Sequence, residues 1–152
     1  MNRQNALIGF ACFCLLVPAA AAQEAALTVR DLDGKNPKKL ALEELNQLLP
    51  GAKMSRLTKS GWQHNWTNES GGAFIVSASN RNPGVSRSTA ASASRGKWHI
   101  SNDGRYCILI EWVGNYPTEE WCRYVIQTSD GYYLAKSDAV KTEAVYKIDI
   151  NK

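Results

Sequence analysis

Histidine is almost missing from this chain: only His64 and His99 occur among 152 residues. A protein zinc site draws three or four ligands from His, Cys and carboxylates at short, regular spacings. Two isolated imidazoles do not provide such a set, so no metal and no other cofactor is expected. The sequence also lacks C-x-x-C, C-x-x-C-H, a G-x-S-x-G elbow and a phosphate-binding glycine loop. These absences remove the sequence support for thioredoxin-type redox chemistry, haem attachment, hydrolase nucleophiles and P-loop chemistry. Strong charge is lacking too. Eighteen Lys and Arg against fourteen Asp and Glu give a net charge of +4, too mild to point to nucleic acid or an anionic membrane surface. After the first 22 residues, no apolar run comes near the roughly 20 residues that a membrane span needs.

Those first residues have a pattern of their own. Arg3 precedes an apolar run from Ala6 to Val17, followed by Pro18 and the small residues Ala19 to Ala22. This is the three-part design of a secretory signal peptide, with cleavage expected after Ala22. Cys12 sits behind Gly9-Phe10-Ala11, where the bulky Phe10 makes a poor lipid-attachment box. Of 152 residues, removal of the first 22 leaves 130, enough for one domain with its own core. Cys12 and Cys14 leave with the leader, so Cys107 and Cys122 remain. In an exported protein, periplasmic or secreted, two cysteines most simply form one disulfide.

Residues 23–37 mix charge with Gly34 and Pro37, and read as a loosely ordered lead-in to a single domain over 38–152. Leu40, Leu42, Leu45, Leu48 and Leu49 recur at helical spacing until Pro50-Gly51, which predicts one short helix over about 38–49. Strands and turns follow. Asn102-Asp103-Gly104 and Ser129-Asp130-Gly131 separate apolar segments, as in β-hairpins. The expected fold is mainly β: an antiparallel meander of about seven or eight strands, barrel or sandwich, with one N-terminal helix and one disulfide. Residues 80–96 are rich in Ser, Ala and Arg without apolar periodicity, and read as a long solvated loop. Arg81, Arg87, Arg95 and Lys97 within or beside it could meet a polyanion.

Residues 96–126 hold three of the five tryptophans, His99 and both remaining cysteines. Centring a hairpin between Gly114 and Asn115 sets Cys107 opposite Cys122, Ile108 opposite Trp121 and Leu109 opposite Glu120. Opposed Cα atoms on antiparallel strands lie at disulfide-compatible separations. Closing a loop of about 15 residues contributes on the order of 3 kcal/mol in the chain-entropy account. Tyr106, Ile108, Ile110, Trp112 and Trp121 then share one face. Cys107, Leu109, Val113, Cys122, Tyr124 and Ile126 share the other, which the helix at 38–49 is expected to cover.

On a strand, Trp62, His64 and Trp66 point the same way. Two indoles around an imidazole offer a stacking surface for a flat ligand or sugar; the plainer alternative is half-buried core with His64 at its rim. Trp62, His64 and Trp66, with Arg81, Arg87 and Arg95, form the expected binding surface. The leading function is a non-enzymatic binding or interaction module of the bacterial envelope that recognises a glycan, another envelope component or a protein. A small envelope hydrolase using His64 or His99 with a carboxylate is a second expectation, and a structural envelope protein without a small ligand a third.

The series Gly96-Lys97-Trp98, Asp103-Gly104-Arg105-Tyr106-Cys107, Trp121-Cys122-Arg123-Tyr124-Val125 and Asp130-Gly131-Tyr132-Tyr133 resembles a family of small exported proteobacterial proteins of unknown function. The likeness runs over about residues 45–136. It implies an all-β fold and brings no catalytic residues; the long Ser/Ala/Arg segment before Gly96 departs from the pattern.

Overall fold

A computed structural model describes residues 26–80 and 92–152; the leader, Arg81 and Arg87 lie outside that range. The described residues open with a 3-10 helix, Val29–Lys35, and a two-residue strand β1, Lys38–Lys39, before helix α1, Leu42–Leu48. Eight strands follow: β2 (Lys53–Leu57), β3 (Trp62–Thr67), β4 (Ala73–Asn80), β5 (Ser92–Ile100), β6 (Tyr106–Glu111), β7 (Glu119–Thr128), β8 (Gly131–Ala135) and β9 (Val145–Asn151). Each is antiparallel to its successor, and β9 returns to pair with β2. The architecture is therefore an eight-stranded antiparallel barrel, with β1 attached outside it to β7.

Alternation sorts the side chains. Met54, Trp66, Phe74, Val76, Trp98, Tyr106, Ile108, Ile110, Val125, Leu134, Ile148 and Ile150 point inward and form the main core. Gly96 permits one close approach, since a Cβ there would lie 2.1 Å from the Phe74 ring. The β6–β7 register is the symmetric one, with Cys107 opposite Cys122, Ile108 opposite Trp121 and Leu109 opposite Glu120. The two cysteine sulfurs lie at disulfide-bonding distance, with Cα atoms 4.0 Å apart.

Four expectations need correction. The leucine pattern predicts a helix from 38, but Lys38 and Lys39 pair with Gln127 and Ile126, and the Leu40 amide donates to the Val125 carbonyl. β7 outruns β6, and β1 satisfies its free edge there. The helix does not cover the outer hairpin face. Its Leu45, with Leu49 just beyond it, joins the main core and closes the barrel end at Met54, Trp66 and Tyr106. The outer residue Ile126 is covered instead by Val29 and Leu32 of the 3-10 helix, together with Tyr133, Ala135 and Val145. The segment read as loosely ordered thus contains a packed turn, in which Asp31 accepts a hydrogen bond from the Thr28 amide. Finally, β4 reaches Asn80 and β5 begins at Ser92, so ladder hydrogen bonds claim the two ends of the segment read as a loop over 80–96, and its residues 81–91 lie outside the described range.

Candidate functional site: the open end of the barrel

One end of the barrel is filled by α1 and a buried polar trio. Trp66 Nε1 donates to Asn68 Oδ1 at 3.0 Å and to the Tyr106 hydroxyl at 3.2 Å, and that hydroxyl donates to Asn68 Oδ1 at 2.9 Å. Burial pushes the Tyr106 phenol well above its ordinary pKa, so it is a permanent neutral donor here.

Among the described residues, the opposite end is hollow. A cavity of about 600 Å³ opens there, lined by Trp62 and His64 of β3, Ala78 of β4, Glu119 of β7 and the β2–β3 turn. The connection after β6 completes the wall with Trp112, Val113, Tyr116 and Pro117. Most of this lining is apolar, and Tyr116 and Val113 at the rim remain 71% and 52% exposed. The His64 and Trp112 rings meet at 4.8 Å between centroids.

A polar cluster from three strands adjoins this cavity, reaching its wall through His64 and Glu119. On β2, Met54 and Arg56 share the inward phase; Arg56 lies directly opposite His64 of β3. On β7 the inward phase places Glu119 across from Ile110 and Trp121 across from Ile108. Arg56 forms an ion pair with Glu119 and donates to His64 Nδ1 from Nε and Nη2, at 3.3 and 3.1 Å. Trp121 Nε1 donates to the same Glu119 oxygen at 2.7 Å. Since a guanidinium only donates, Nδ1 is the accepting nitrogen and Nε2 carries the proton. Burial, then the positive charge of Arg56, pulls the His64 pKa down to about 4, against a smaller opposing pull from Glu119. The imidazole is therefore neutral at neutral pH. Burial raises the Glu119 carboxyl, but the Arg56 charge and the bonds from Arg56 and Trp121 outweigh it and keep it ionised.

The expected site residues separate. Trp62 and His64 do share a face, but it is the inner face, and both line the cavity. Trp66 belongs to the closed end and is only 4% exposed. Arg95 is exposed on the outer phase of β5, opposite Ile75 and Glu111, and so does not join Trp62 and His64. His99 gains unexpected neighbours. It pairs with Cys107, which pairs with Cys122, and its ring nitrogen and the two sulfurs lie within 4.8 Å of one another. In the disulfide-bonded form those sulfurs carry no thiolate to act as a ligand. Arg56, Trp112 and Glu119 were missed as site residues. The available signal was charge at inward phase: Met54-x-Arg56 and Glu119-x-Trp121-x-Arg123-x-Val125 alternate on strands that are otherwise apolar inside.

Residues 12–122 match the family described as "Protein of unknown function (DUF995)". The chain belongs to this family. No curated protein and no solved structure shows significant similarity to the chain.

Proposed function

We propose that this family member is a non-enzymatic binding protein of the cell envelope, whose open barrel end takes up the apolar part of one small molecule. The observation that carries the reading is the 600 Å³ cavity lined by Trp62, Trp112, Ala78 and Val113. Eight-stranded barrels are wide enough to be filled by side chains or to hold one small ligand. Ligand sites are commonly concave, mainly apolar spaces of 300–1,000 Å³ with a few placed polar groups. Here His64 Nε2–H supplies a neutral donor at the base of an aromatic slot. The leader read in residues 1–22 supports an exported location.

The site favours binding over hydrolysis for a stated reason. A general base works best with a pKa near the operating pH, whereas His64 lies near 4. Its Nδ1, where a catalytic dyad would place a carboxylate, is occupied by a cation. An aromatic slot with this polar base also suits a hydrophobic envelope compound better than an extended glycan.

Titration with N-phenyl-1-naphthylamine, a neutral aromatic probe whose fluorescence rises in apolar surroundings, tests the reading. One saturable site per chain is expected, weakened at least tenfold by Trp62→Ala combined with Trp112→Ala. Absence of saturable binding, or binding unchanged in that folded double variant, overturns it.

A further inference from the structure

The barrel wall is incomplete beside this cavity. β2 and β9 are joined by three residue pairs, the last being Ser55 with Asp149, although β2 runs on to Leu57 and β9 begins at Val145. Beyond that last pair a second cavity, of about 240 Å³, is lined by Arg56 and Lys59 on one side and Tyr146 and Lys147 on the other. Trp121, Arg123 and Glu119 of β7 also line it, and Glu119 and Thr58 border the large cavity too. The two spaces are neighbours across Thr58 and Glu119, which line both.

The charges do not balance. Four cations line the small cavity with one carboxylate, and Arg56 already holds that carboxylate. Arg123 is half-buried and on the inward phase of β7, opposite Tyr106. Its guanidinium lies 4.7 Å from the Tyr146 ring centroid and 5.7 Å from that of Trp121. Among the described residues it has no carboxylate partner. A planar cation steadied by two rings, with its donors unspent, is suited to a bidentate grip on a carboxylate. Lys59 and Lys147 at the rim add attraction from solvent.

We propose that the side opening is an anion site, and that the ligand of the barrel is an amphipathic organic acid. Its carboxylate binds Arg123 in the side cavity while its apolar part occupies the aromatic cavity. The inference rests on the binding function above and adds the ligand's head group to it. Arg56 serves as the divider: its charge is spent on Glu119, so the new anion meets Arg123 rather than displacing an internal pair.

The test compares decanoate with decanol, which share a chain and differ in the charged head. Each is titrated directly by calorimetry and also in competition with bound N-phenyl-1-naphthylamine. Decanoate is expected to bind at least tenfold tighter than decanol, and to weaken between 50 and 500 mM salt while decanol does not. Arg123→Gln should bring decanoate to the level of decanol and leave the naphthylamine affinity unchanged; Arg123→Lys should restore part of the difference. Lys59→Gln with Lys147→Gln, both at exposed positions, gives a second reading should Arg123→Gln fail to fold: a reduced salt dependence for decanoate. Equal binding of acid and alcohol, or a preference for the acid that survives Arg123→Gln, overturns the anion site while leaving the cavity standing. Failure of all three compounds to bind overturns both.

Discussion

The two ends of the barrel are built from the same strands and have opposite characters. β3 shows this within six residues: Trp66 is buried at the closed end, whereas Trp62, on the same face four residues away, lines a cavity. What differs is the cover. At the closed end α1 brings Leu45 and Leu49 into the barrel mouth, and Asn68 and Tyr106 satisfy the indole nitrogen. At the other end no described element seats itself over Trp62 and Trp112. Aromatic residues on one strand are therefore buried in the core or left lining a cavity according to what closes the layer above them, not according to residue type.

The largest effect expected from breaking this contrast is at the plug. Leu45 is fully buried, so Leu45→Ala should cost about 2–5 kcal/mol in denaturant unfolding, without weakening naphthylamine binding by the folded protein. A loss below 1 kcal/mol would mean that α1 does not close the barrel. Next comes the staple between β6 and β7. Cys107→Ala with Cys122→Ala should cost on the order of 3 kcal/mol for a loop of this length; intact-mass measurement on the chain from residue 23 onward should find two free thiols only after reduction.

The third effect distinguishes the ends by pH. The depressed pKa of His64 means that the unfolded chain takes up its proton near 6.5, whereas the folded chain resists until about 4. The stability tied to neutral His64 is thus present above pH 6.5 and is lost progressively as pH falls from 6.5 toward 4. Its size is on the order of 2–3 kcal/mol. His64→Gln should flatten the melting temperature across that window. A slope identical to that of the wild type would show that the imidazole is not held neutral. The smallest stability effect belongs to the open end: Trp62→Ala, which removes a ring lining a void, should change unfolding by less than about 1.5 kcal/mol while reducing probe affinity severalfold.

Local features of this fold were legible in the sequence, and closure was not. The 106–126 hairpin could be registered from two cysteines and an apolar alternation, because its information lies within some twenty residues. The pairing of Ser55 with Asp149 joins positions far apart in the chain, and no alternating pattern states which strand will meet which. That pairing makes the alternate-residue face at Trp62, His64 and Trp66 an interior. For the same reason those three residues were legible as a group but not as the wall of a cavity. Arg56, His64 and Glu119 come from three strands, and only their shared inward phase hinted at their meeting. Leucine periodicity alone predicts too long a helix, because it does not report that β7 offers an unpaired edge to Lys38 and Lys39.

The open end, and not the plugged end, is the proposed place of the ligand. The most direct measurement follows the five tryptophan indole N–H signals by ¹⁵N-resolved NMR during titration with N-phenyl-1-naphthylamine. Saturable shifts are expected at Trp62 and Trp112, with Trp66 and Trp98 unmoved. Shifts centred on Trp66 and Trp98, or no shift at Trp62 and Trp112 while the probe binds, would contradict it.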